Sequence, residues 1–334
     1  FGFEFIHSNF KVMSPGVLAL RGSYKFFGIS YVLDLDQNAG LKDSDGDSYP
    51  DNYDDYPYDD DKNNTAWEIY LDNQSYWDGL CEDSDESNCL ENTLSNFLGD
   101  SYNVYDPETA DRDPISAIAF DFTYPLSNKF TLYSQFAQLM GEVDVKISDT
   151  EINTKKLGWG AVPIGIKAKL GLVDLRAELR TSSRRFMFNY WDRAYDVNRV
   201  TISAISEPET KESLLYQYGK LSGFYSQATM SIMDMFTFGF GYQSMSGEKW
   251  DKDLKIYADD ESNQTLLSTI KMNPSIIPKI GKAEAFYQQS NVSNPFKFKP
   301  DINTIFGYDL GVEFSSDVML IYKARTTYIV DLDN

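Results

Sequence analysis

The feature that most constrains this chain is a strict alternation of large apolar residues with small or polar residues. In "MFTFGFGYQS", residues 235–244, Phe or Tyr alternates with Thr, Gly or Gln from Phe236 to Gln243. The stretches "VLALRGSYKF" (17–26), "ISAIAFDFTY" (115–124) and "IFGYDLGVEF" (305–314) show the same period. Successive side chains of a β-strand point to opposite faces, so a period of two over such lengths predicts strands.

Two kinds of β protein produce this alternation. A soluble sandwich or barrel turns its apolar face inward, whereas a transmembrane barrel turns that face toward lipid. Three features favour the membrane. The strands run to about ten residues, their polar face is rich in Gly and Ala as a crowded lumen requires, and the connections alternate between very short and very long.

We therefore predict a transmembrane antiparallel β-barrel of 12–14 strands, with short periplasmic turns and long extracellular loops. Thirteen strands are expected at 1–8, 16–26, 29–36, 115–125, 129–142, 158–171, 174–186, 218–231, 234–246, 265–273, 279–290, 304–314 and 318–331. Tight turns are expected at 126–128, 172–174, 232–234 and 315–317. Long polar segments are expected at 37–114, 143–157, 187–217 and 247–264.

An odd number of strands is unusual, because bacterial single-chain barrels normally close with an even number. Either a strand is missing from the count or one is false, and 265–273 has the weakest pattern. "YIVDLDN" at 328–334 is similar to "YVLDLDQN" at 31–38, where a strand enters an acidic loop. The expected organisation is therefore first barrel strands at 1–36, an acidic extracellular loop at 37–114, and remaining strands at 115–334 that stop short of the full barrel.

Charged residues recur on the polar side of the predicted strands. In hydrocarbon they would be very costly, so we expect them to line the lumen, where they pair across strands or face a water-filled channel. The predicted lumen-lining residues are Lys167, Lys169, Arg176, Glu178, Arg180, Lys282, Glu284, Asp309, Glu313, Lys323 and Arg325.

The stretch "DSDGDSYPDNYDDYPYDDD", residues 43–61, contains nine carboxylates in nineteen residues. Hard oxygen ligands at positions one, three, five, seven, nine and twelve of a loop are the arrangement that calcium loops use. The residues at those positions are Asp43, Asp45, Asp47, Tyr49 (through its carbonyl), Asp51 and Asp54. Two departures from an EF-hand loop are Ser48 in place of Gly and Asp54 in place of Glu.

The run D-x-D-G-D-x-x-x-D-x-x-D-x-x-P resembles the thrombospondin type 3 calcium repeat over residues 43–61. The resemblance implies Ca²⁺ as the bound ion, the five aspartates above as its ligands and Pro57 as the residue that closes the turn. The alternative is a solvated acidic loop without an ion. The barrel pattern is similar to porin-like outer-membrane families in its alternation alone.

The two cysteines, Cys81 and Cys89, enclose "EDSDESN". We expect a disulfide, which implies an oxidising compartment, and the alternative is two free thiols. Without a nearby His or a CxxC motif, a zinc site is not indicated. The surrounding segment 62–114 is expected to form a cap over the barrel mouth.

Composition excludes several functions. A formal net charge of −21 argues against nucleic acid as a partner. The single histidine, His7, has no catalytic neighbours, and none of the common nucleophile, zinc or phosphate-loop motifs occurs, so we expect no enzyme. No apolar run is long enough for a transmembrane helix.

The leading hypothesis is a porin-like channel for small solutes in the bacterial outer membrane, with a calcium-stabilised surface loop. Its expected partners are the lipid bilayer and lipopolysaccharide, other outer-membrane or surface proteins, and further copies of itself. One alternative is a structural outer-membrane platform that anchors a surface assembly. Another is a secreted, calcium-dependent β-rich protein that binds carbohydrate or mediates adhesion.

Overall fold

The computed structural model describes residues 1–7, 17–47, 49–51, 54, 56–60, 113–146, 152–192, 195–202, 208–233, 235–301, 303–315 and 318–328. The chain forms two compact units. The first, here called the sheet unit, contains Phe1–Asp34, Pro114–Asp196 and Glu212–Asn334. The second, here called the acidic unit, contains Leu35–Asp113 and Val197–Lys211.

Almost all regular structure in the described residues is β-strand. The strands are β1 (Gly2–His7), β2 (Val17–Tyr24), β3 (Phe27–Asp34), β4 (Ile115–Pro125), β5 (Phe130–Met140), β6 (Glu142–Lys146), β7 (Ile152–Lys156), β8 (Trp159–Leu170), β9 (Val173–Ser182), β10 (Val200–Ile202), β11 (Pro208–Thr210), β12 (Tyr218–Ile232), β13 (Phe236–Asp251), β14 (Ile256–Met272), β15 (Ile280–Val292), β16 (Thr304–Ser315) and β17 (Val318–Thr327). Short helical turns lie at Asn38–Gly40, Tyr195–Asn198, Ser213–Gln217, Pro274–Ile276 and Pro295–Lys297.

Thirteen of these strands form one antiparallel sheet in the order β1-β2-β3-β4-β5-β8-β9-β12-β13-β14-β15-β16-β17. Each strand pairs with the strand that precedes it in the sheet and in the chain, apart from the two small hairpins β6–β7 and β10–β11. The all-β antiparallel fold and a count of 12–14 strands are therefore confirmed. Every predicted strand has a counterpart, including the weakest, which falls within β14.

One predicted long loop is wrong, and another contains a hairpin that was not predicted. The segment 247–264 is mostly strand, because β13 and β14 continue as a paired hairpin with a four-residue turn at 252–255. The segment 143–157 is a long connection between β5 and β8, as predicted, but it contains the β6–β7 hairpin. Polar residues obscured both hairpins in the sequence. Backbone pairing continues past the end of the apolar pattern, because it satisfies the peptide groups regardless of side chain.

The two faces of the sheet differ sharply in what they expose. Leu179 is 56% exposed, whereas its chain neighbours Glu178 and Arg180 are only 3% and 6% exposed. This is the inverse of a soluble sheet, which buries its apolar face. We call the face that carries Glu178 and Arg180 the inner face. The opposite, outer face exposes large apolar side chains that include Leu20, Ile29, Phe120, Phe136, Ile166, Leu175, Phe224, Phe238, Phe240, Ile270, Phe306, Leu310 and Leu320.

The sheet is strongly curved around its inner face. Tyr195 bonds Asp34 at the end of β3 (2.7 Å), and Asp192 bonds Gln288 on β15 (2.6 Å). Those strands are eight steps apart, about 38 Å in a flat sheet. Because Asp192 and Tyr195 are at most about 11 Å apart along the chain, a flat sheet could not make both contacts. The sheet unit is thus a curved antiparallel sheet with an apolar outer face and a charged inner face, as in a transmembrane β-barrel.

The main cluster of buried apolar residues lies on the inner face, where the segment after β9 packs onto β4, β5 and their neighbours. The cluster consists of Ile115, Ala117, Leu139, Val143, Leu157, Phe186, Tyr190, Tyr195 and Leu215. Among the described residues, no helix is both long enough and apolar enough to cross a membrane.

Candidate functional site: the charged inner face and the acidic loop

All eleven residues that the sequence predicts to line a lumen lie on the inner face. The strand register shows this directly, since Lys167 pairs with Arg176 across β8 and β9, and Asp309 pairs with both Glu284 and Lys323. Residues two apart on a strand share a face, so the other predicted lumen residues of these strands lie on the same face as the paired ones. Whether the face borders water stays a prediction.

Two arginines of β9 share one buried carboxylate. Glu178 accepts hydrogen bonds from the Nε atoms of Arg176 (2.6 Å) and Arg180 (2.7 Å) and from the Tyr133 hydroxyl (2.6 Å). The Arg180 guanidinium also lies 4.1 Å from the centre of the Tyr225 ring. With two cations to one anion, this cluster carries a net positive charge into the interior of the barrel.

A second pair on the inner face was absent from the predicted set. Arg21 on β2 donates two hydrogen bonds to the carboxylate of Asp121 on β4, at 2.7 and 2.9 Å, and a third to Ser30 (3.0 Å) on the intervening strand. The sequence alone places Arg21 and Asp121 on the polar side of their strands, because both strands alternate clearly between apolar and polar residues. Their partnership depends on sheet register, which the sequence does not state.

The inner face of β14–β17 carries a separate network. Asp309 pairs with Lys282 (2.5 Å) and Arg325 (2.6 Å), while Lys271 lies 3.5 Å from Glu284. Every acid in this network has a basic neighbour. The acids of this network are therefore compensated by bases on neighbouring strands of the sheet.

The segment after β9 folds onto the inner face, which corrects the prediction that all of 187–217 is an external loop. The Phe186 ring packs directly on Gly160 of β8, so closely that any Cβ there would collide with it. The Phe188 ring lies 4.9 Å from the Arg180 guanidinium. Tyr195 and Asp192 then reach the two distant strands described above. We call residues 186–195 the strap.

A cavity of about 260 Å³ lies between the strap and the inner face. Its lining includes Arg21, Asp121, Arg176, Arg180, Phe186, Phe188 and Asn189. A small solute in this cavity would meet charged groups of the sheet on one side and aromatic rings of the strap on the other.

In the acidic unit, Asp43, Asp45 and Asp47 bring one carboxylate oxygen each to within 4.8 Å of the others. Asp54 is 8% exposed, and its Oδ2 has no hydrogen-bond partner among the described residues. Burial, together with the nearby carboxylates of Asp47 and Asp45, raises the pKa of Asp54. Its Oδ1 accepts a hydrogen bond from the Tyr56 N–H (2.7 Å), so the buried Oδ2 is the atom arranged as a cation ligand would be.

Asp51, a predicted calcium ligand, has hydrogen-bond partners within the acidic unit. It accepts hydrogen bonds from Lys42 Nζ (2.5 Å) and from the backbone N–H of Ser44 (2.8 Å). The Lys42 ammonium holds the pKa of Asp51 below its usual value. Tyr49 donates its N–H to Asp47 (2.7 Å). Cys81, Cys89 and the predicted cap over 62–112 lie outside the described residues.

No protein-family model matches this chain, and no curated protein sequence matches it significantly. Among solved structures, the crystal structure of Pseudomonas aeruginosa OccK11 (OpdR) matches 98% of this chain, with 11% sequence identity and a TM-score of 0.34. The chain spans 66% of that protein's length. A TM-score of 0.34 is too low to show a shared fold. The strand order and the different exposure of the two sheet faces define the fold of this chain.

Proposed function

We propose that the chain is a non-enzymatic, porin-like channel of the bacterial outer membrane, through which small solutes diffuse. The observation that supports this most directly is the inversion of the sheet, with exposed apolar residues outside and buried ion pairs inside. A lipid environment stabilises exposed apolar residues on the outer face, and a polar lumen stabilises ion pairs on the inner face.

Selectivity in such a channel would come from the narrow zone beside the strap. Arg176 and Arg180 share Glu178, so the local field there is positive, and the Phe186 and Phe188 rings limit the free cross-section. A solute that carries a negative or strongly dipolar group would be stabilised in this zone. Because Glu178 compensates one of the two positive charges, binding would be weak enough for release.

Conductance in planar bilayers tests the channel. We expect discrete conductance steps after reconstitution, together with a folded form in detergent that migrates differently before and after boiling. A heat-modifiable barrel that stays closed at every voltage would instead favour the structural platform. A chain that remains soluble and folded without detergent would refute membrane placement and favour the secreted adhesion protein.

We further propose that the acidic loop binds one Ca²⁺ ion through Asp43, Asp45, Asp47 and Asp54. Ca²⁺ takes six to eight oxygens at about 2.3–2.6 Å, so ligands on one ion lie within about 5 Å of each other, as the first three do. The buried, unpartnered oxygen of Asp54 supports a fourth ligand. The ion would offset the repulsion among these carboxylates and order the loop.

Calorimetric titration with Ca²⁺ and Mg²⁺ tests this site. We expect Ca²⁺ to bind with a stoichiometry of one and Asp45→Asn to weaken binding at least tenfold. Asp253→Asn, an exposed acid in the β13–β14 turn, is the matched control and should bind as the unaltered chain does. Equal weakening by both substitutions would show a diffuse charge effect and refute the site.

A further inference from the structure

We propose that residues 294–299, which connect β15 to β16, form a membrane anchor that binds the phosphate groups of anionic lipids. We call this stretch the anchor segment. The inference rests on the membrane placement proposed above and adds to it a specific lipid-binding site on the outside of the barrel.

The anchor segment and its first flanking residue are held against the outer face of the sheet. The Phe296 ring lies 5.2 Å from the ring of Tyr242 on β13. Gln264 of β14 donates a hydrogen bond to the carbonyl of Ser293, and Gln289 of β15 donates one to the carbonyl of Lys299, each at 2.8 Å. These contacts join three neighbouring strands to the connection and fix where it lies.

The position of the contacts locates the anchor segment in the membrane. Tyr242 lies six residues beyond Phe236, where β13 starts after its tight turn, or about 20 Å along the strand and about 15 Å in height at a typical tilt. The next outward positions on β13 are Ser244 and Ser246. Because the outward apolar residues of β13 end at Tyr242, the anchor segment lies where the apolar side of this strand stops, on the side away from the tight turns.

The exposed side chains of the anchor segment alternate between aromatic and basic. Phe296 and Phe298 are 50% and 64% exposed, and Lys297 and Lys299 are also exposed. No ion pair of either lysine is found within the described part of the chain. In a protein with a net charge of −21, two such lysines beside two exposed rings form an unusual local arrangement.

This arrangement matches the chemistry of a lipid leaflet at the depth of its headgroups. Aromatic rings favour the boundary between acyl chains and headgroups, and lysines extend their ammonium groups outward toward phosphate. Each lysine near an anionic surface strengthens binding appreciably. Water would leave the exposed parts of both rings in contact with solvent, whereas a phosphate-bearing lipid covers the rings and pairs with the two lysines at once.

Native mass spectrometry of the detergent-solubilised chain tests the proposal. The chain is titrated with phosphatidic acid or with phosphatidylcholine of the same acyl chains. We expect preferential retention of phosphatidic acid, and about 30-fold weaker retention by the Lys297→Ala/Lys299→Ala variant. The control variant, Lys155→Ala/Lys156→Ala, removes the same charge from the exposed β6–β7 hairpin and should retain the lipid.

Two further arms make the outcome decisive. Phe296→Ala/Phe298→Ala should weaken retention of both lipids, and excess inorganic phosphate should not displace the bound lipid. Equal retention of the two lipids, an equal loss in the control variant, or full displacement by inorganic phosphate would each overturn the anchor. Channel conductance should persist in the lysine variant, so a missing conductance in the unaltered chain would refute the proposed function instead.

Discussion

The hydroxyl of Tyr195 donates a 2.7 Å hydrogen bond to the buried carboxylate of Asp34, a residue 161 positions away in the chain. This bond ties the strap to the end of β3, while Asp192 accepts a bond of 2.6 Å from Gln288 on β15. The strap is therefore attached to strands on both sides of the curved sheet. The position of the strap, and with it the width of the proposed passage, depends on these polar contacts together with the apolar packing around Phe186.

Tyr195→Phe should loosen the strap. The substitution leaves the ring but removes the hydroxyl donor, so the buried Asp34 carboxylate loses a partner at a cost of about 1–3 kcal/mol. We expect a higher and noisier single-channel conductance, together with earlier thermal unfolding. Tyr322→Phe, which alters an exposed ring on the outer face of β17, should leave both measurements unchanged. An unaltered conductance in Tyr195→Phe would mean that the strap does not limit the passage.

Opposite changes to the shared carboxylate cluster should move ion selectivity in opposite directions. Glu178→Gln removes the anion between Arg176 and Arg180, so the interior becomes more positive and chloride should be favoured over potassium. Arg176→Gln removes one of the two cations and should favour potassium. Reversal potentials in a salt gradient measure both effects. A shift of the same sign in the two variants would contradict the proposed location of the cluster beside the ion path.

Phe240→Lys should destabilise the folded barrel far more than Thr229→Lys. Phe240 lies on the outer face in the middle of the apolar belt, where a lysine costs about 2–4 kcal/mol in a bilayer. Thr229, one strand away, lies on the inner face. Urea unfolding of the chain refolded into vesicles measures the difference. Equal stability of the two variants would place the outer face in water rather than lipid.

Lys42→Gln should tighten Ca²⁺ binding. Lys42 is a competing cation at the acidic loop, because its ammonium already occupies the Asp51 carboxylate. Its removal frees Asp51 to contribute to the site and lowers the repulsion that an incoming ion meets. Calorimetric titration of Lys42→Gln should show a several-fold higher affinity for Ca²⁺. Lys252→Gln, in the β13–β14 turn, should leave the affinity unchanged. Weaker binding by Lys42→Gln would mean that the lysine orders the loop instead.

The strands and their two faces were predictable because the relevant signal is local. Alternation such as that around Phe236 and Phe240 specifies an extended chain and assigns each side chain to a face without any knowledge of neighbours. The same rule put Arg176 and Glu178 on one side of β9. Arg21 and Asp121 follow it equally, and their omission reflects the difficulty of judging from one strand which charges matter.

The sequence could not reveal where polar segments go once the apolar period ends. The β13–β14 hairpin continues as strand because backbone hydrogen bonds, which leave no trace in composition, extend the pairing. The strap turns inward because Gly160 leaves space for the Phe186 ring, and glycine and phenylalanine are 26 residues apart. Both outcomes depend on surfaces that exist only after the sheet has formed.

The amino-acid sequence by itself determined an antiparallel all-β chain with an apolar and a charged face, and it determined the acidic loop. The tertiary structure alone decided which charges meet across strands and that the strap lies against the inner face. The physical reason is distance along the chain. Alternation and loop spacing act between near neighbours, whereas ion pairing and packing depend on sheet register and curvature, which bring residues together from strands far apart in sequence.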